Sequence, residues 1–342
     1  MRRRKLGYTS LDISAVGMGT WAIGGDGYDC SLGAQDDKES ITAVRRCLDL
    51  GINWVDTAPM YGLGHAEEII GKATKNLRSQ IIIATKCGIL WDYNGSFSFS
   101  LRYDSVRAEC EASLRRLRTD YIDLYQIHLP TTTEELSEAW ECLSELCREG
   151  KIRFAGVSNF TVEQMRMVQQ IHPVASLQPV YNMFNRDIEQ DILGFCRTSN
   201  IGVISHSPLG TGLLSGQMTR ERVRGLSQDD FRRKLPDFRE PQLSIHLKAI
   251  DQLKAIAEEK DLTLVQLAIG WVLRGNEITA TIVGARSADQ VEELSRNCEV
   301  TLDADATERV NAVLAGHKAE MQSIASEKYP RPLKSFIAQL FR

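Results

Sequence analysis

Eight times along the 342 residues, a short and almost continuously apolar run is followed by a stretch whose apolar residues fall at helical spacing. The first run is Ala15-Val-Gly-Met-Gly19, and the others lie at 53–55, 81–85, 122–127, 153–157, 175–178, 201–205 and 279–283. A strand that is apolar at nearly every position is buried on both faces, and strand–helix alternation makes neighbouring strands parallel. Eight such units predict an α/β fold, a (β/α)8 TIM barrel, rather than an open doubly wound sheet. Barrels of this kind exceed 250 residues as one domain, so the length calls for no second one. We read residues 1–317 as a single barrel domain and 318–342 as a C-terminal tail.

Local signals fill in the units. Residues 4–13 carry two short strand-like pieces around Gly7-Tyr-Thr-Ser10, which predicts an N-terminal hairpin. Asp36 or Asp37 caps a helix with Ile41, Val44, Leu48 and Leu50 inward, and Gly51 ends it. Gly71 is expected to stop the next helix, and Asp104 or Ser105 to cap a helix over 104–117. Gly150 stops a helix over 134–148, and Thr161 with Gln164 is a capping-box pattern. Further helices are expected at about 187–198, 246–259, 263–273, 287–296 and 304–316. The stretch 209–245 reads as irregular, is rich in Arg, Asp and Pro, and is too long for a plain connection. Loops of that length are functional covers or disordered.

Composition excludes several classes. The net charge of −4 gives no electrostatic reason for a nucleic-acid partner. Met1-Arg-Arg-Arg-Lys5 is followed by Leu6-Gly-Tyr-Thr-Ser10, not by the apolar core of a signal peptide. No apolar run approaches the ~18 residues of a membrane span, so no membrane partner is expected and the cytoplasm is the expected compartment. The eight cysteines contain no CxxC and the six histidines no HExxH, so neither disulfides nor a metal is expected.

The ends of the runs carry polar residues that a barrel core does not accept: Asp56, Lys86, His128, Ser158 with Asn159, Gln178, Ser205 and Gly284. In a parallel barrel these ends share one face. Taken singly, Asp56 serves as readily as a cap or turn residue, His128 as a satisfied core histidine, and Tyr61 as a half-buried turn aromatic. Taken together with Tyr61, six residues after the start of Val55-Asp56, they make chemical sense. A tyrosine with a pKa of ~10 exchanges protons near neutrality only if a cation favours its phenolate. Lys86 supplies that cation, Asp56 holds Lys86, and His128 donates a hydrogen bond to a carbonyl oxygen. A phenol acid suits an oxygen that gains negative charge as hydride reaches its carbon, and no side chain carries hydride, so a cofactor must.

The usual dinucleotide fingerprint is missing, because Gly17-Met-Gly-Thr-Trp-Ala-Ile-Gly-Gly25 is not GxGxxG. The phosphate-binding signal lies at the last two units. Ser205-His-Ser-Pro-Leu-Gly-Thr-Gly212 is flexible and hydroxyl-rich, and Gly284-Ala-Arg-Ser287 opens a helix with Arg286 placed to pair a phosphate.

Several ordered motifs resemble the aldo/keto reductase family up to about residue 316: Lys5-Leu-Gly-Tyr-Thr-Ser-Leu-Asp-Ile-Ser14, Gly17-Met-Gly-Thr20, Asp56-Thr-Ala-Pro-Met-Tyr-Gly62 with Glu67, Ala84-Thr-Lys86, Asp120-Tyr-Ile-Asp-Leu-Tyr-Gln-Ile-His128, Gly156-Val-Ser-Asn-Phe160, Ser207-Pro-Leu with Gly212-Leu-Leu-Ser-Gly216, and Gly284-Ala-Arg with Gln290 and Glu293. The short loops look more like the bacterial and potassium-channel-β-like branch than the aldose reductase branch. The resemblance implies a catalytic tetrad of Asp56, Tyr61, Lys86 and His128, with Tyr61 as general acid/base. It implies that NADPH, with NADH as the lesser option, lies against Gly19, Thr20, Trp21 and Asp56. Ser158, Asn159 and Gln178 would hold the carboxamide. Ser205, His206, Ser207, Pro208, Leu209, Gly210 and Gly212 would cradle the pyrophosphate, with His206 or Leu209 at the stacking position. Gly284, Ala285, Arg286, Ser287, Gln290 and Glu293 would take the adenosine end. Where the family often reads Glu-Asn, this chain has Glu293-Leu294, which removes one adenine contact.

The expected activity is reversible reduction of a small, sugar-like aldehyde or ketone, with Trp21, Tyr61, Trp91 and His128 lining the substrate. Polyol oxidation and a regulatory subunit with little turnover are the alternatives, and homo-oligomer formation stays open. The tail, with Lys328, Arg331, Lys334, Arg342, Phe336, Leu340 and Phe341, packs outside the barrel or on a partner, covers an active site, or is disordered.

Overall fold

The computed structural model describes residues 1–28, 31–227, 230–297 and 299–325. Eight parallel strands close into a barrel. Around the barrel they are β3 (Val16–Gly19), β4 (Trp54–Asp56), β5 (Ile82–Cys87), β8 (Ile122–Ile127), β9 (Ile152–Ser158), β10 (Ser176–Gln178), β11 (Gly202–Ser205) and β12 (Ala280–Gly284). Closure runs from β12 to β3, with Thr281 opposite Val16 and Gly284 opposite Gly19. The N-terminal hairpin forms as expected from β1 (Arg3–Lys5) and β2 (Asp12–Ser14), paired antiparallel. Its Leu6, Leu11 and Ile13 pack with Trp54, Leu124 and Ile204 and plug the end of the barrel at which the strands begin.

The helices that cover the strands follow their caps. Asp36 accepts from Glu39 N at the start of α1 (Asp37–Asp49), and Thr132 does the same for Glu135 N at α4 (Thr133–Arg148). Thr161 and Gln164 form the expected capping box of α5 (Val162–Gln169). Gly71 does not stop its helix: α2 (His65–Ala73) runs through it, because a Cβ there would stand 2.5 Å from Arg116 O of the neighbouring helix. The glycine is a contact point, not a terminator. That neighbour, α3 (Tyr103–Leu117), begins after Arg102 with no side-chain cap, so Asp104 lies inside the first turn and acts on the helix dipole instead. The helix expected at 187–198 is a short 3-10 turn, Asp187–Glu189, followed by α6 (Ile192–Thr198).

Two segments differ more. A second hairpin, β6 (Ile89–Trp91) with β7 (Phe97–Phe99), is inserted after β5. Phe97 and Tyr61 pack there against Ala58, Met60, Ile89 and Leu129. The stretch 209–245 is not a solvated loop. It contains the 3-10 turns Gly210–Ser215, Phe231–Lys234 and Pro236–Phe238 and the short helix α7 (Arg220–Arg224). Leu213, Leu214, Met218, Phe231, Leu235 and Phe238 bury against the main core. The remaining helices are α8 (Gln242–Glu259), α9 (Leu264–Val272), α10 (Ala288–Asn297) and α11 (Ala304–Ala325). The last helix runs well past residue 316, held by buried Met321 and by Lys248–Glu320 and Arg309–Glu259 ion pairs to α8. The residue 317/318 division therefore falls inside a helix, and the expectations for residues 326–342 lie outside the described residues.

Candidate active site

Asp56, Lys86, Ser158, Gln178, Ser205 and Gly284 all lie at or next to the C-terminal ends of their strands, and His128 follows β8 by one residue. They meet around a cavity of about 310 Å³. Gly19, Thr20, Trp21, Asp56, Tyr61, His128, Gln178, His206, Ser207, Pro208, Leu209, Gly212 and Gly284 line it. Ala22, Leu32, Met60, Thr211, Phe231, Arg232, Ile282 and Val283 complete the wall. A larger groove between α8 and α11, about 610 Å³, contains none of these residues.

Lys86 is fully buried. Its Nζ donates to Asp56 Oδ1 at 2.6 Å and to Thr57 O at 2.9 Å. Burial pushes the ammonium pKa down, and the Asp56 carboxylate opposes it. The second Asp56 oxygen accepts from Gln178 Nε2 at 2.7 Å. Asp56 is thus held on both oxygens, by groups from β5 and β10.

Tyr61 sits on the turn after β4, with its N–H on Ala58 O at 3.0 Å. Its ring stacks on Trp21 at 6.0 Å and meets His128 edge-on at 6.2 Å. Lys86 Nζ is 5.2 Å from the ring centroid. Here the structure corrects an expectation. Burial, and then the Asp56 charge, push the phenol well above its ordinary 10.0 rather than down. The free Tyr61 side chain is therefore held in its protonated form.

His128 is 1% exposed, and its Nε2 is buried without a hydrogen-bond partner. Burial, the Lys86 charge and His206 hold its pKa well below 6.5, so the imidazole is neutral. His206 Nε2 is likewise buried without a partner, its Nδ1 lies 3.1 Å from Ser207 Oγ, and burial pushes its pKa to about 3. Orphaned buried nitrogens on a cavity wall call for an outside partner.

Other expected residues stand behind the wall. Ser158 Oγ donates to Gln178 O at 2.9 Å, and Asn159 Nδ2 donates to Ser158 Oγ at 2.8 Å. Ser205 Oγ turns to Thr281 Oγ1 at 2.8 Å. Arg286 donates through Nη2 to Leu32 O, and its N–H bonds Gln290 Oε1 at 2.8 Å. Leu32 lines the cavity, so Arg286, with Ala285 before it, adjoins one rim. Glu293 is exposed on α10, whereas Leu294 is 3% exposed and packs in the core. Trp91 does not line the cavity: its ring lies 5.9 Å from the Arg116 guanidinium on α3. Arg116 in turn pairs with fully buried Glu67 at 2.7 Å, and Glu67 accepts from Thr85 Oγ1 at 2.6 Å, next to Lys86.

A dinucleotide suits this arrangement. Between Ser207 and Gly212, four residues have left-handed backbone (Ser207 φ 55, Gly210 φ 54, Thr211 φ 57, Gly212 φ 99), so the chain winds tightly along the cavity wall. The unsatisfied imidazoles flank it. Phe231, Arg232, Leu32 and Met60 were not singled out from the sequence. Phe231 and Arg232 sit in a segment without strand periodicity, and no local pattern marks them as reaching the site. Among the described residues no three His, Cys, Asp or Glu side chains could hold a metal ion, and no helix is long and apolar enough to cross a membrane.

A parallel barrel with an Asp–Lys–Tyr–His constellation at its mouth defines a carbonyl–alcohol oxidoreductase, and the comparisons agree. The chain belongs to the Aldo/keto reductase family, whose model matches residues 15–315. It is 39% identical over 309 residues to aldo-keto reductase YhdN of Bacillus subtilis, covering 90% of this chain and 91% of that protein. It is 35% identical over 322 residues to the NADH-specific methylglyoxal reductase of Escherichia coli, covering 90% and 97%. Among solved structures, the glycerol dehydrogenase AKR11B4 of Gluconobacter oxydans aligns with a TM-score of 0.84 and 34% identity, covering 97% of this chain and 99% of that one. The holo form of aldo-keto reductase AKR11C1 of Bacillus halodurans aligns at 0.76 and 27%, covering 92% and 96%. The protein is an enzyme, an aldo/keto reductase that uses a nicotinamide cofactor.

Proposed function

We propose that the enzyme reduces a small aldehyde or ketone, sugar-like or bearing a second oxygen, to the alcohol with NADPH, and that Tyr61 delivers the proton. The carrying observation is that Tyr61, with Lys86 Nζ 5.2 Å from its ring, meets edge-on at 6.2 Å a His128 whose Nε2 is buried without a partner on the cavity wall. When bound, the nicotinamide supplies the hydride or takes it up. His128 Nε2 donates to the carbonyl oxygen and fixes it beside Tyr61, provided its proton sits on Nε2. Tyr61 gives its proton to that oxygen as charge develops there, and Lys86 stabilises the phenolate left behind. Asp56 and Gln178 keep Lys86 in place through both transfers. In the oxidative direction the same phenolate accepts the alcohol proton.

A small substrate fits the wall of Trp21, Met60, Leu32 and Phe231, which leaves few polar groups besides the reacting ones. Relatives named for methylglyoxal reduction and glycerol dehydrogenation favour three-carbon substrates and both directions. The Tyr61→Phe variant should lose 10²–10⁴-fold in kcat, while its NADPH Kd stays within about twofold of wild type. A variant that keeps most of its turnover removes Tyr61 from the role of acid.

Preference for NADPH rests on Arg286 at the rim formed by Leu32. Arg286→Ala should raise the Kd for NADPH about tenfold or more and leave that for NADH nearly unchanged. Equal losses would mean that Arg286 does not read the 2′-phosphate, and that the chain follows its NADH-specific relative.

A further inference from the structure

Lys86 is held from the cavity side by Asp56 and Thr57 O, and a second charged pair stands behind its strand. Successive side chains of a strand point to opposite faces, so Thr85 leaves β5 on the side away from Lys86. There its Oγ1 donates to Glu67 Oε1 of α2 at 2.6 Å. The other Glu67 oxygen accepts from Arg116 Nε of α3 at 2.7 Å, and Arg116 Nη2 donates to Ser113 Oγ at 3.2 Å. The Glu67 side chain is fully buried, and that of Arg116 is 19% exposed.

Four charges thus alternate in sign across β5, in the order Arg116, Glu67, Lys86 and Asp56. A buried ion pair adds little to stability that apolar residues of the same volume would not. What apolar residues cannot supply is a field at Lys86. Burial pushes that ammonium down, and Asp56 first, then Glu67, oppose it. The other titratable groups around Lys86 are Tyr61, protonated, and His128 and His206, both neutral. Glu67 is faced from β8 by Tyr125, which burial keeps protonated, and from α3 by Glu109, pushed up to about 8.

We infer that Glu67 is a positioning residue for the reaction: fixed by Thr85 and Arg116 behind β5, its carboxylate keeps Lys86 charged beside Tyr61. The inference rests on the roles proposed above for Tyr61 and Lys86. Glu67 itself neither gives nor takes a proton. The phenol proton goes to the carbonyl oxygen, the hydride to the carbonyl carbon, and the ammonium that faces the resulting phenolate stays whole. Because the Tyr61 phenol is pushed up and the Lys86 ammonium down, Lys86 loses its proton first as pH rises. Its loss sets the alkaline break in reduction. Glu109 has ionised before that break and does not set it.

The test is the pH profile of kcat/KM for NADPH-dependent reduction of DL-glyceraldehyde and dihydroxyacetone, with thermal unfolding recorded beside it. Glu67→Gln removes the charge and keeps the shape, and should move the alkaline break down by about one pH unit. Glu67→Gln combined with Arg116→Met removes the ion pair as a unit, which guards against a single variant that fails to fold. Glu67 is the nearer of the two charges to Lys86, so the double variant should shift the break in the same direction by a smaller amount. Thr85→Val keeps the charge and removes only the hydrogen bond, and its break should stay near that of wild type. Breaks in both Glu67 variants that superimpose on wild type, whatever their Tm, make the pair a stability device and overturn the inference. An equal shift in Thr85→Val overturns it too, since packing rather than charge would then move the break. Wild type that oxidises no NADPH with either carbonyl overturns the proposed reduction, and the inference with it.

Discussion

At the residue scale, the proposed site works by what burial does to three titratable groups, Lys86, Tyr61 and His128. Lys86 keeps its charge because Asp56 sits 2.6 Å away, while Tyr61 and His128 are both driven toward their neutral forms. The signs fix a pH profile. The proposed mechanism of reduction needs protonated Tyr61 and neutral His128. The phenol stays protonated up to its raised pKa, and the imidazole stays neutral down to its lowered one. The kcat/KM for reduction should therefore be flat from about pH 6 to about pH 9. An inflection near pH 6.5 in stopped assays would mean that His128 titrates as an ordinary histidine. The identities of these residues were legible in the sequence because each ends an apolar run. Their protonation was not. The expectation that Lys86 lowers the Tyr61 pKa counted charges without counting desolvation, and the partner that absorbs the lysine charge is set by geometry.

At the element scale, one helix carries a cost that shows in stability. Glu109 on α3 is 8% exposed, and its carboxyl is pushed up to about 8 by burial, despite hydrogen bonds from Gly88 N–H and Ser105. Its Oε1 is buried without a partner. The folded pKa exceeds the ordinary 4.5, so the native state holds a proton that the unfolded chain releases. Stability from this group is complete below about pH 4.5 and declines as pH rises toward about 8, by at most ~1.4 kcal/mol per pH unit. Glu109→Gln should flatten the denaturant-derived stability between pH 5 and pH 8 relative to wild type. An unchanged slope would show that Glu109 is ionised in the native state. Periodicity could place Glu109 on α3 but not its face among apolar neighbours, since the inserted hairpin and the turn at Gly88 decide which side of α3 is covered. The same limit explains Gly71. A helix-stop signal and a contact-point glycine read alike until α3 is seen so close that a Cβ on Gly71 would stand 2.5 Å from Arg116 O.

At the scale of the whole molecule, the barrel was the most legible property. Eight apolar runs and their amphipathic partners bury their surface in one topology, and that information is local and repeated. So is the rule that strand ends converge on one face, which made Asp56, Lys86 and His128 neighbours before any coordinates. What only the tertiary structure decided are relations between distant segments. Gln178 reaches Asp56 across 122 positions, Arg116 pairs with Glu67 and lies near Trp91 away from the cavity, and Phe231 and Arg232 fold back into its wall. These depend on loop paths and on desolvation, which pattern along a chain does not encode. The sequence by itself determined the fold and the polar residues that gather at the strand ends, because burial periodicity is short-ranged. Which groups burial drives toward neutrality and which aromatics line the cavity were decided in three dimensions, where electrostatics depends on how much water the fold excludes.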